Sequence, residues 1–190
     1  MLDLNKIPYG RPPPCERHPM KFSRLPLYVW LFSLALFAFS VATSFPSLPE
    51  RLATHFDAAG HPNGWSSRTA YVAFFPAFTL GVSGLVLGLT YSIRFFPSST
   101  LNVPRSDYWR TPENYPRACV FIFRHTFWFA ALMTLFMRYA HQSIATANLA
   151  APPILNTGEL NRSAGLFLAG LALWIFSLVH FFIKDVRSAN

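Results

Sequence analysis

The chain has 190 residues, of which 52% are hydrophobic, 17% aromatic and only 13% charged, and its formal net charge is +8. A soluble domain usually carries about 25% charged residues, so a water-soluble globule of this length would need an implausibly large core. The composition excludes an ordinary soluble domain and makes the bilayer the better solvent for the long apolar stretches.

Residues 1–25 form a proline-rich basic tail carrying Lys6, Arg11, Arg17, Lys21 and Arg24. In "KIPYGRPPPCERHPMKFSR" the prolines favour extended, polyproline-like backbone. No basic helix and no recognition motif is present, so nucleic acid is not an expected partner. The positive charge reads as topogenic, with surface anchoring or partner docking the other role and membrane lipid head groups the natural contact. The two cysteines, Cys15 and Cys119, have no CxxC spacing and are expected as reduced, structural thiols.

The first span runs over about residues 26–45, "PLYVWLFSLALFAFSVATSF". It follows a basic region, as a signal peptide would, but signal cores are shorter, about 7–15 apolar residues. The other spans run over about residues 70–96, 117–141 and 164–185. Each meets the roughly 20 residues that a helix needs to cross the hydrocarbon layer. Helix is the expected form, because backbone polar groups in lipid must be satisfied within the segment. The alternating segments of a β-barrel are not seen. The predicted fold is an all-α integral membrane protein, a four-helix membrane domain over residues 26–190 with an ordered outer loop between the first two helices.

Lys and Arg set the orientation. One side holds the tail, Arg94, Arg105, Arg110 and Arg117, and Lys184 and Arg187; the other holds Arg51, Arg68, Arg138 and Arg162. The positive-inside rule then places both termini in the cytoplasm. The loop between the first two spans lies outside, as does a second loop of about residues 142–163.

That first loop, "LPERLATHFDAAGHPNGWSSR", is the least hydrophobic part of the chain. Pro46 and Pro49 end the first helix. Leu48, Leu52 and Phe56, spaced by four, predict one or two amphipathic helical turns. Gly60, Pro62, Asn63 and Gly64 make a turn cluster. Trp65 is expected at head-group level, and Arg68 at the start of the second span. His55 is expected to satisfy loop backbone. His55, Asp57 and His61 also have an H-x-D-x3-H spacing to which His141 could be added, a donor set suited to zinc or copper. The expectation is nevertheless a hydrogen-bonded cap and no metal or other cofactor.

The same stretch resembles the N-terminal motif of a family of bacterial integral membrane proteins of unknown function. That pattern is Leu-Pro, a short amphipathic turn, His-Phe, a Gly, an Asp and a Lys just before the next span. The matching residues are Leu48, Pro49, His55, Phe56 and Gly60, with Asn63 at the Asp position, Trp65 following and Arg68 at the Lys position. The module also forms the N-terminal part of SdpI-type proteins, which confer immunity to a secreted peptide toxin and take part in signalling. The resemblance covers about residues 26–96, and "LNVPRSDYWRTPEN" is similar to a segment found in some members. It implies a bacterial cytoplasmic membrane protein. The further C-terminal spans of the SdpI-type proteins have no counterpart among the four read here.

The inner connection, "LNVPRSDYWRTPENYPR", offers Asp107, Tyr108, Trp109, Arg110 and Glu113 as an interfacial plug, with Ser106 or Asp107 to cap a short turn. It shows no phosphate loop, nucleophile–base pair or paired catalytic carboxylates. In the third span Arg124 lies seven residues beyond Arg117, roughly 10 Å deeper at 1.5 Å per residue. An ionisable residue at that depth is a functional candidate. His125 and, on the fourth span, His180 are the other intramembrane polar candidates. Two histidines from two helices could ligate a b-type haem, but no small residues line up to admit a porphyrin, so interhelical hydrogen bonds are the expectation. Small-residue strips, Gly81, Ser83, Gly84 and Gly88 on the second span and Gly165, Ala169 and Ala172 on the fourth, predict contacts inside the bundle.

Two functional classes follow. One is a non-enzymatic membrane protein acting in immunity, sensing or transport-associated signalling, whose outer loop recognises a peptide or ion. The other is an accessory subunit packed against a larger membrane complex.

Overall fold

The computed structural model describes residues 23–187, with side chains to residue 184. The tail of residues 1–22, with Cys15, lies outside the described residues. Helix α1 (Leu25–Ser44) begins with Pro26 in its first turn and runs into a short 3-10 turn at Phe45–Ser47. Proline at a helix start loses only an N–H that has no partner there. Pro46 and Pro49 then stop the chain from continuing as a helix.

The next segment differs from the predicted helical turns. Residues Arg51–Phe56 form strand β1, which pairs antiparallel with β2 (Pro62–Ser67). The chain is therefore mostly helical rather than all-α. A four-residue spacing of Leu48, Leu52 and Phe56 marks one turn of a helix, but it also marks two pleats of a strand. The turn chemistry decides between them. Asp57 Oδ1 accepts the N–H groups of Ala59 at 2.9 Å and His61 at 2.8 Å. Asp57 N–H donates to His61 C=O at 2.9 Å. Gly60 takes the positive φ of 88° that the turn needs. The register slips between Ala53 and His55 and again between His55 and Phe56, so the short ladder is bulged beside the histidine.

Helix α2 (Arg68–Ser92) starts where Ser67 Oγ accepts the Ala70 N–H at 3.2 Å, and Pro76 lies inside it. The inner connection holds 3-10 turns at Ile93–Phe95 and Ser98–Thr100 and the single-turn helix α3 (Ser106–Trp109). Helices α4 (Tyr115–Ala147) and α5 (Thr157–Arg187) complete the chain. α4 runs six residues past the predicted end of its span, because His141 is buried and Gln142 bonds Ser40 of α1 rather than announcing a loop. α5 begins at Thr157, so the second connection at that end is short.

α4 is the central helix and packs on α1, α2 and α5. α1 runs parallel to it, with Arg124 near Ser23 and His141 near Ser44. α2 runs antiparallel, with Tyr71 against His141 and Tyr91 against Phe123. α5 is antiparallel too, through Phe136–Phe167 and His125–Trp174. The faces that α4 offers are small: Thr126, Ala130, Ala131, Thr134 and Ala145 are all buried. Small side chains let helix backbones approach closely, and that packing holds helices together where the surroundings are as apolar as the core.

The four long helices, with α1 and α2 extended by their following 3-10 turns, span 23, 28, 33 and 28 residues and are apolar enough to cross a membrane by length and composition. Their outward faces are apolar: Phe32, Phe39, Phe74, Leu85, Leu166 and Leu173 are all more than half exposed. The glycine strip on α2 does not serve the bundle. A Cβ at Gly81, Gly84 or Gly88 would meet nothing within 4 Å, so these residues face outward, and so does Gly165. Gly170 is different: a Cβ there would come within 2.9 Å of Leu132.

At the inner connection, Leu101, Trp109, Tyr115, Ala118, Cys119 and Phe182 form a buried cluster. Trp109 Nε1 donates to Phe182 C=O at 3.0 Å, and Arg110 Nε to Leu101 C=O at 2.9 Å. Tyr115 hydroxyl shares its proton between Ile93 C=O at 2.7 Å and Phe96 C=O at 2.8 Å. The connection is thus a packed plug. No side chain caps α3; Arg105, with φ 56°, precedes it.

Candidate functional site at the hairpin end

The hairpin is pinned at three places. Asn148, 8% exposed, receives Ala53 N–H on Oδ1 at 2.7 Å and returns Nδ2 to Ala53 C=O at 2.8 Å. Its amide copies a neighbouring strand and ties β1 to the end of α4. Gly60 C=O accepts the Leu155 N–H at 2.9 Å, and a Cβ on Gly60 would fall 2.3 Å from Leu155 O. Arg68 N–H donates to Glu50 C=O at 2.8 Å and its guanidinium to Leu48 C=O at 3.0 Å, while the side chain lies over the Phe45 ring. Leu48 and Leu52 are buried with Tyr71 and Ala145. So of the motif residues, Leu48, Gly60 and Arg68 do structural work. Trp65 is 44% exposed beneath Arg51.

The motif residues His55, Phe56 and Asn63 face a cavity. A space of about 370 Å³ opens between the hairpin, α4 and the connection to α5, lined by Thr54, His55, Phe56, Asn63, Ser143, Ile144 and Leu155 among others. His55 is exposed, with Nδ1 3.1 Å from Thr54 Oγ1. It does not satisfy the loop backbone as predicted; Asp57 does that. Gly64 lies across the ladder, where a Cβ would sit 2.9 Å from His55 Cβ, so the glycine makes room for the imidazole. Phe56, Ile144 and Leu155 give an apolar floor, and Asn63, Ser143 and His55 a polar rim. His55 is the sole titratable group on that lining. One imidazole beside amide and hydroxyl groups above an apolar floor can hydrogen-bond a bound ligand.

The candidate metal donors His55, Asp57, His61 and His141 do not come together as one group. His61 lies 3.6 Å from Asp57 at the exposed tip. His141 is fully buried between helices, where its ring stacks on Tyr71. No group of three or more His, Cys, Asp or Glu comes together among the described residues. The Asp57 carboxyl is held below its ordinary value, chiefly by the His61 backbone N–H.

Below the hairpin, His141 joins three helices. Ser44 hydroxyl donates to Val41 C=O at 3.1 Å, so it accepts from His141 Nε2 at 2.8 Å. Nδ1 is then the acceptor for Tyr71 hydroxyl at 2.9 Å. Ser40 hydroxyl meets Gln142 Oε1 at 3.1 Å beside this chain. The sequence reading counted His141 only as a metal donor; Tyr71, Ser44 and Asn148 it missed, since pairings across 70 to 97 residues leave no local pattern.

At the other end, His125 and Trp174 clasp α4 to α5. His125 Nε2 lies 3.1 Å from Trp174 C=O and 3.0 Å from Ser177 Oγ, and Trp174 Nε1 donates to His125 C=O at 3.0 Å. The imidazole stacks on both Phe121 and Trp174, so its ring faces and Nε2 are taken up by helix packing. His180 stacks on Phe176 and lines, with His125 and Ser177, a groove between α4 and α5. Arg124 donates to Ser23 C=O, which places it level with the start of α1 rather than deep along the bundle. Arg117 lies over Trp109. Among the described residues, Trp30 Nε1, Ser83 Oγ and Arg138 Nε are buried without a hydrogen-bond partner.

Residues 31–80 match a domain family described only as a domain of unknown function (DUF1648), which takes in most of α1, the hairpin and the first half of α2. No curated protein and no solved structure matches the chain.

Proposed function

We propose that this chain is a non-enzymatic, multi-pass protein of a bacterial cytoplasmic membrane, with both termini in the cytoplasm, whose hairpin end recognises a peptide. The role is immunity, sensing or transport-associated signalling of the SdpI-like kind. The observation that supports this reading is the division of labour in the motif. Leu48, Gly60 and Arg68 fix the hairpin, while His55, Phe56 and Asn63 face an open cavity of about 370 Å³. A rigid frame presenting an apolar floor and a few polar groups is the usual form of a recognition site.

The test is selection of random twelve-residue peptides, as a display library of about that length, against the protein in lipid nanodiscs. A selected peptide is expected to lose about tenfold in affinity on Phe56→Ala or Asn63→Ala and nothing on His180→Ala. Peptides indifferent to the first two substitutions would remove the reading.

A second reading, an accessory subunit of a larger complex, is favoured by α5. It packs chiefly on α4 and leaves Leu166, Leu168, Leu173 and Phe176 exposed along one side. Gentle detergent extraction followed by sizing separates the two. A lone 21.5 kDa chain counts against the subunit.

A further inference from the structure

Two arginines, one just before α1 and one on α4, meet at one groove at the end of the bundle opposite the hairpin. Arg24 precedes α1, Arg124 projects from α4, and a groove of about 400 Å³ between them continues over Leu27, Tyr28, Phe123 and Phe127. The donation from Arg124 to Ser23 C=O anchors one guanidinium at the mouth. The two positive charges lie close enough to act on one another. The first turn of α1 holds no acidic residue, and Ser23 Oγ accepts its Leu25 N–H at 3.1 Å. Two guanidinium groups therefore converge above an apolar floor. The level matters too: Tyr91 at the end of α2 packs on Phe123, and Arg94 lies over Tyr91. The mouth is thus at the depth where α1 begins and α2 ends.

We propose that this groove binds one anionic phospholipid, with the phosphodiester between Arg24 and Arg124 and an acyl chain along Leu27, Phe123 and Phe127. The proposal rests on the four helices crossing a bilayer, and it is independent of the hairpin cavity. The guanidinium fork matches phosphate oxygens in geometry as well as charge. A free phosphate would use the arginines but not the apolar floor. A zwitterionic lipid would use the floor but would bring an ammonium group toward two cations.

The experiment reconstitutes the full chain into vesicles of equal parts phosphatidylglycerol and phosphatidylcholine, checks flotation with the vesicles, and weighs the lipid retained after detergent extraction by native mass spectrometry. The expected result is retention of phosphatidylglycerol over phosphatidylcholine by about fivefold. That preference should be lost in Arg24→Gln and Arg124→Gln and kept in Arg105→Gln, a charge removed at the same end of the molecule. Leu27→Trp keeps both arginines and fills the groove; it too should lose the lipid, and it decides the matter if Arg124→Gln does not fold. Inorganic phosphate should not displace the lipid. No preference in protein that floats, a preference unchanged in Leu27→Trp or in Arg24→Gln, or displacement by phosphate alone would each overturn the site. Failure to float would overturn the membrane-crossing premise instead.

Discussion

Asn148 holds the hairpin by a pair of hydrogen bonds to both backbone groups of Ala53. Replacing it with Ala leaves a buried donor and a buried acceptor without partners, each dearer to strand than the bond was to make. Asn148→Ala is expected to cost about 2–3 kcal/mol, read as a lower thermal midpoint in detergent. An unchanged midpoint would mean that water replaces the amide and that the hairpin is only loosely docked. Gly60 makes the complementary case. Its φ of 88° and the 2.3 Å approach to Leu155 O leave no place for a Cβ. Gly60→Ala should cost about 1–3 kcal/mol and weaken any ligand held between the hairpin and Leu155. Gly84→Ala, which faces open space, is the matched control and should be nearly silent in the same melt.

At the scale of the element, the hairpin is stabilised by a turn that depends on charge. The Asp57 carboxyl is held below its ordinary value of 3.8, first by the His61 backbone N–H, with Ala59 N–H and the His61 charge adding to it. A depressed acid stabilises the folded turn above its ordinary value, and that contribution is lost as pH falls through the folded value. The amide shifts of Ala59 and His61 should therefore hold steady from about pH 6 downward and move together only below the ordinary carboxylate range. In Asp57→Ala that transition should vanish. A transition near the imidazole range instead would assign the turn's order to the exposed His61–Asp57 contact rather than to the backbone N–H groups. The helices are held differently. The Tyr71–His141–Ser44 chain and the His125–Trp174 clasp each cross between helices, and each spends its polar groups on partners inside the bundle.

For the whole molecule, the proposed orientation, read from the asymmetry of Lys and Arg, puts the hairpin outside and the Arg94–Arg124 end in the cytoplasm. Ala58 lies exposed at the hairpin tip, so Ala58→Cys should react with a membrane-impermeant maleimide added to intact spheroplasts. Cys119, buried in the inner cluster, should stay unlabelled until the protein is unfolded. Labelling of Ala58→Cys only after the membrane is opened would reverse the orientation and move the cavity to the cytoplasmic face. On that orientation the proposed lipid site would belong to the cytoplasmic leaflet, where anionic lipid and basic side chains meet.

The sequence by itself determined the four long apolar helices and the breaks between them, because length and hydropathy are local properties and prolines such as Pro46 and Pro49 act where they stand. It also marked the Leu48–Arg68 stretch as ordered and distinct. It did not decide that this stretch is a hairpin, since a spacing of four residues serves strand and helix alike; the Asp57–His61 turn and the Asn148 pairing decided that. Nor did it show which motif residues frame the cavity and which face it, or that His141 is bound by Tyr71 and Ser44 from two other helices. Depth was the other matter left to tertiary structure. Counted along α4, Arg124 lies well inside a span, yet α1 begins beside it, because α4 extends about nine residues, roughly 13 Å at 1.5 Å per residue, past the start of α1, alongside α5, into the plug of Trp109, Tyr115 and Phe182. A side chain's depth depends on where the adjacent helices start, and no count along one helix contains that.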